Sequence, residues 1–102
     1  MPPMRDILPE LLEVFRAEGR ERLDALAVAI EKKDPVQLGS AAHGIKGAAA
    51  NLGGKRLAEV CARLEKMGRG GTVEGAGEFV PEVEAQFNLL CGALERESRM
   101  PE

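Results

Sequence analysis

The chain has no tryptophan and no tyrosine, and its three phenylalanines stand apart at positions 15, 79 and 87. Nowhere does a basic block interleave with aromatic residues. Fourteen Lys and Arg against seventeen Asp and Glu leave a net charge of −3, without the basic face that a nucleic-acid partner needs for counterion release. Long apolar runs are missing too: none approaches the ~18 residues that a membrane span requires. The opening "MPPMRDILPELLEVF" carries acids inside its apolar part and lacks a small-residue cleavage site, so it does not read as a signal peptide. A cytoplasmic location, with no membrane and no nucleic-acid partner, is the resulting expectation. Cysteine is scarce. Cys61 and Cys91 each sit in an apolar helical pattern and read as buried free thiols. Two distant cysteines and a single histidine supply no metal-ligand spacing. No segment alternates with period two, so strands are not expected. What remains is a 102-residue chain, 44% hydrophobic and 30% charged. It fits one domain, residues 1–102, able to bury roughly two-thirds of its unfolded surface.

The apolar residues recur at helical spacing. Leu8, Leu11, Leu12, Phe15, Leu23, Leu26 and Ile30 form the first pattern, with Asp6 a candidate N-cap and Pro9 in the first turn. Gly19 interrupts it, which predicts a short leading helix before a longer one, or a bend. Lys32 and Lys33 suit the negative end of its dipole. "DPVQ" then restarts the chain: Asp34 as cap, Pro35 at the first helical position, Gln37 at the capping-box position. That helix should run over 35–52 and stop at Gly53 and Gly54. Leu57, Val60, Cys61, Leu64 and Met67 predict a third helix ending at Gly68. "GRGGTVEGAG", with five glycines in ten residues, reads as the one clear loop. Val80, Val83, Phe87, Leu90 and Leu94 give the last helix, with Pro81 acceptable in its first turn. The expected fold is all-α: an antiparallel up-and-down four-helix bundle with a short additional N-terminal helix.

The stretch "AAHGIKGAAANLGG" holds the only histidine, His43, among glycines and alanines. At about 100° per residue, Leu38, Ala41, Ile45, Ala49 and Leu52 fall opposite His43 and form the core face. His43 therefore points to water. Gly39, Ser40, Lys46, Gly47, Ala50 and Gly54 share its side, and all but Lys46 are small. Glycine inside a helix costs about 0.5–1 kcal/mol relative to alanine, so such a face gives up stability for access. A lone exposed histidine is most often just solvated, and helical glycines can serve close helix packing. That second reading suits Gly44, and it suits Gly39 and Gly47 poorly because they lie opposite the apolar face.

"HGIKGAAANLG" resembles the signature of the histidine phosphotransfer (HPt) family, roughly H-x-[IL]-K-G-[SAG]-[SA]-x-x-[LIVF]-G. His43, Ile45, Lys46, Gly47, Ala48, Ala49, Leu52 and Gly53 match it position by position. "LLEVFRAEGRERLDAL" is similar to the family's opening helix and "LAEVCARLE" to the helix after the signature. Gly44 departs from it, standing where a bulkier residue is usual. The resemblance implies a four-helix bundle that relays a phosphoryl group in two-component signalling. It makes His43 the phosphoryl acceptor and Lys46 the stabiliser of phosphoryl charge. A receiver-docking face would include Gly39, Ser40, Gly47 and Ala50, with Gly47 leaving room for the incoming domain.

The expected partners are a response-regulator receiver domain and a histidine kinase. An imidazole in water is mostly neutral near pH 7 and can attack phosphorus through its outer nitrogen, Nε2. Transfer depends chiefly on positioning and on stabilising the equatorial oxygens. No cofactor is expected on this domain, and Mg²⁺ should arrive on the partner receiver. Ser40 beside His43 lacks a visible third orienting group and reads as a surface hydroxyl. The domain is thus expected to be a covalent carrier, not a self-contained enzyme. The alternatives are the phosphorylatable module of a chemotaxis-type kinase, or a helical adaptor in which His43 is incidental. Met1 and the polar C-terminus favour a separate small protein.

Overall fold

The computed structural model describes residues 9–99, and Asp6 and Leu8 lie outside them. Among the described residues four helices follow one another: α1 Pro9–Glu31, α2 Pro35–Asn51, α3 Lys55–Arg69 and α4 Val80–Arg99, with a 3-10 turn, Ala76–Phe79, leading into α4. No strand occurs among the described residues. Packing runs α1 on α2, α2 on α3, α3 on α4 and α4 back on α1. This closes an all-α bundle in which α2 and α4 are diagonal. One apolar stripe from each helix fills the centre, and Leu26, Leu38, Leu57, Leu64, Val83 and Leu94 are fully buried there.

The connections follow from the residues that form them. At the first corner Lys33 adopts a left-handed backbone, φ 55°, and Asp34 N–H reaches back to Ala29 O at 2.8 Å. Lys32 and Lys33 therefore lie just past α1 rather than in its last turn. The Asp34 carboxylate accepts from Gln37 N–H at 3.2 Å, with Pro35 inside the new helix. α2 stops where Gly53 takes φ 81° and Gly54 N–H returns to Ala49 O at 2.8 Å. A left-handed residue at a helix end satisfies carbonyls that the helix leaves orphaned.

Two expectations change. α1 is one continuous helix across Gly19, with no separate leading helix within it. A Cβ on Gly19 would lie 2.3 Å from the Phe87 ring, so glycine is there to admit that ring. Phe15 flanks it, with ring centroids 5.4 Å apart. The glycine-rich stretch is likewise only partly a loop, because Ala76 is fully buried and opens the 3-10 turn. Cys61 and Cys91 are buried free thiols, and burial pushes the Cys61 thiol up to about 12.

Candidate functional site

Periodicity alone turns His43 outward from α2, and its side chain is 63% exposed. Leu38, Ala41, Ile45 and Ala49 on the opposite face are buried. The imidazole is nonetheless held. Its Nδ1 lies 2.9 Å from Oε2 of Glu65 on α3. Lys46 Nζ reaches the other oxygen, Oε1, at 2.5 Å, and Arg69, one turn beyond Glu65, reaches Oε2 at 2.6 Å. The Glu65 side chain is only 4% exposed, so a buried carboxylate gathers the imidazole and two cations.

The protonation pattern follows from these contacts. The hydrogen bond from Lys46 is the main cause holding the Glu65 carboxyl below its usual range. Hydrogen bonding to His43 and the charge of Arg69 add to it, and together they outweigh the opposing effect of burial. An ionised carboxylate can only accept. Nδ1 of a neutral His43 must therefore carry the proton and donate it, which leaves the lone pair on Nε2. A partner on one ring nitrogen fixes the role of the other. Glu65 carries one negative charge against two positive ones from Lys46 and Arg69, so the site is electropositive beside that lone pair. In its neutral form the ring therefore offers an Nε2 lone pair in open surroundings, with two cations close by.

The Hpt domain family matches the chain over residues 10–98. The chain belongs to the Hpt domain family. Neither the curated proteins nor the solved structures give a match. Membership makes it a histidine phosphotransfer module of phosphorelay and two-component signalling. It is a phosphocarrier that works with receiver domains and histidine kinases. Among the described residues no helix is long and apolar enough to cross a membrane.

Within this Hpt domain, α2 presents Ser40, His43, Gly47 and Ala50 to solvent. A Cβ on Gly47 would meet nothing within 4 Å, so the approach to the ring is open on that side. Gly39 is a correction. It was expected on the same open face, yet it is buried, and a Cβ there would sit 3.7 Å from the backbone oxygen of Glu65. Facing it, Gly68 brings α3 closer still: its Cβ would fall 2.6 Å from Gly39 N and 2.5 Å from Pro35 O. These two glycines let the helices touch backbone to backbone, and that contact puts Glu65 level with His43. Gly44 likewise leaves room for the Arg22 side chain, 2.7 Å from where its Cβ would be.

Between α2 and the end of α3 lies an open cleft of about 400 Å³, lined by Val36, Gly39, Ser40, His43, Glu65 and Arg69 among others. Sequence reading missed Glu65 and Arg69. A glutamate at an apolar-facing position of α3, between Leu64 and Gly68, was the available signal. Lys46 was expected to act on phosphoryl oxygens from the outer face of α2. Its ammonium lies against Glu65, and this carboxylate is an orienting group for His43 that the sequence did not reveal.

Proposed function

We propose that His43 accepts a phosphoryl group from the phospho-aspartate of a receiver domain, or from a kinase, and passes it to a response regulator. The Nε2 lone pair attacks phosphorus, the bond from phosphorus to the aspartyl oxygen breaks, and the partner's carboxylate leaves. Nδ1 keeps its proton throughout, so the phosphorylated ring is cationic and Glu65 lies against the positive charge. In onward transfer the N–P bond breaks and the imidazole departs neutral. Lys46 and Arg69 exchange part of their hold on Glu65 for the new phosphoryl oxygens, which strengthens charge-assisted hydrogen bonding where negative charge develops. Mg²⁺ comes with the acidic site of the receiver. Gly47, Ser40 and Ala50 leave the helix low enough for that domain to seat over the ring.

The observation that carries this reading is the Nδ1 contact of an exposed imidazole with a buried carboxylate, 2.9 Å. It supports Nε2 as the attacking nitrogen and leaves that nitrogen uncovered. The test is incubation with a phosphorylated receiver and Mg²⁺. An acid-labile, base-stable phosphoryl group should appear on the wild type and be absent from His43→Gln, whose helical circular dichroism stays unchanged. Retention of the label by His43→Gln would refute the assignment.

A further inference from the structure

The three arginines of α1 leave the helix in two directions. Arg16 and Arg20 reach α4, where they hold Glu95 at 2.7 Å and Glu84 at 2.6 Å. Arg22 lies about 200° around the helix from Arg20 and crosses to α2 instead. Its Nε stands 2.7 Å, and its Cδ 2.9 Å, from the place that a Cβ on Gly44 would take. The side chain thus occupies a notch that exists because residue 44 is glycine. Gly44 is also the position at which the chain departs from the HPt signature. Alanine would suit the interior of α2 better, but its methyl group would meet the arginine.

The guanidinium in that notch is loosely held. Among the described residues its one ionic partner is Glu18, at 3.6 Å, and the Glu18 side chain is 54% exposed. The distance is beyond hydrogen-bonding range, and an exposed pair of this kind contributes little. Gly44 is the residue after His43, and the surface between the notch and the ring is nearly bare. With His43 at zero, the helical period puts Gly47 near 40°, Ser40 near 60° and Gly44 near 100°, while Lys46 falls about 60° the other way. Ser40 and Gly47 are exposed, and a Cβ on Gly47 would meet nothing within 4 Å. Lys46 and Arg69, both paired with Glu65, therefore flank the ring on its α3 side. Arg22 is the cation on its α1 side.

We propose that Arg22 is a phosphoryl-binding residue of this domain. When His43 is phosphorylated, the guanidinium leaves Glu18, swings across Ser40 and Gly47, and takes phosphoryl oxygens from the α1 side. The inference rests on the carrier reading above and adds to the site a residue from a third helix. No covalent bond changes in this exchange. A loose pair with one exposed carboxylate gives way to charge-assisted hydrogen bonds with a dianion, and a planar guanidinium can make two of them at once. Held from both sides, the phosphoryl group returns less readily to its donor.

The test phosphorylates the full chain in two ways: from a receiver domain loaded with acetyl phosphate and Mg²⁺, and directly with phosphoramidate, which needs no partner protein. With the receiver, the equilibrium division of phosphoryl between the two proteins is measured. Arg22→Gln should shift it towards the receiver by about three- to tenfold. Arg22→Lys keeps the charge without the planar fork and should recover part of that loss. Glu18→Gln frees the guanidinium from its resting partner and should move the balance the other way, by up to about twofold. Gly44→Ala fills the notch and should reproduce the Arg22→Gln shift, and combining the two should add nothing. Arg56→Gln removes an arginine from the cleft between α3 and α4 and should leave the balance unchanged. With phosphoramidate, the ¹⁵Nε–H resonance of Arg22 should move as His43 is phosphorylated in the wild type.

An unchanged equilibrium for Arg22→Gln, or an Arg22 resonance indifferent to phosphorylation, would overturn the assignment and leave the carrier reading intact. Equal shifts for Arg22→Gln and Arg22→Lys would overturn it as well, by showing that the charge is not what matters. Label taken from phosphoramidate but not from the receiver would sink the carrier reading, and the Arg22 resonance would then decide the inference by itself. No label from either source would overturn both.

Discussion

Gly68→Ala should harm this protein, although alanine is the better helix former. A Cβ at this position would lie 2.5 Å from Pro35 O and 2.6 Å from Gly39 N, whereas ordinary contact begins near 3.4 Å. Opening the tightest contact from 2.5 to 3.4 Å means about 0.9 Å of movement between α2 and α3. The obstructing atoms are backbone, so no side chain can swing aside. Overpacking of this kind costs about 1–3 kcal/mol, and the helix-propensity gain returns at most about 1 kcal/mol. The expected outcome is a net loss of about 1–2 kcal/mol. For a chain of this size that is a fall in Tm of about 5–15 °C, read by thermal and urea denaturation followed by circular dichroism.

The same movement has a functional signature. Shifted by about 0.9 Å from its present 2.9 Å, Glu65 would stand near 3.8 Å from His43 Nδ1, beyond hydrogen-bond reach. Imidazole ¹⁵N shifts should then report a mixture of tautomers in place of one. Gly47→Ala is the matched control, because its new methyl meets nothing within 4 Å. It should stabilise the protein by about 0.5–1 kcal/mol. A Gly68→Ala protein as stable as the wild type, or more so, would refute the backbone-contact account of this helix pair.

Acid should act through Glu65, whose folded carboxyl lies below its ordinary value. Its stabilisation is complete above the ordinary carboxylate range near pH 4.3 and is lost as pH falls through the lower folded value. The Tm gap between wild type and Glu65→Gln should shrink over that interval, and a gap constant from about pH 6 to pH 3 would contradict the linkage. Lys46→Ala removes the main cause of the depression, so the Glu65 carboxyl should titrate higher, as followed by ¹³C NMR, while phosphoryl transfer slows. Asp34→Ala deletes the cap that accepts from Gln37 N–H and should cost about 1 kcal/mol in urea denaturation, with transfer at saturating receiver unchanged.

The helices, their caps and the outward aim of His43 are local properties, set by residues within a turn or two of one another. The period of Leu38, Ala41, Ile45 and Ala49 turns His43 away from the core however the bundle closes, and Asp34–Pro35 and Gly53 bound that helix through their own backbone preferences. Gly19 is different in kind. Along the chain it reads as a break, and only the Phe87 ring from α4 explains an unbroken helix there. Gly39 and Gly47 look alike in sequence, yet one is sealed against α3 and the other is open, because the line of contact between two helices depends on where they cross. Glu65 shows the same limit most sharply. Nothing in its neighbours along α3 announces that it will hold an imidazole twenty-two residues away. That partnership exists because Gly39 and Gly68 let two backbones meet, and a distance set by packing between helices has no expression in the period of either one.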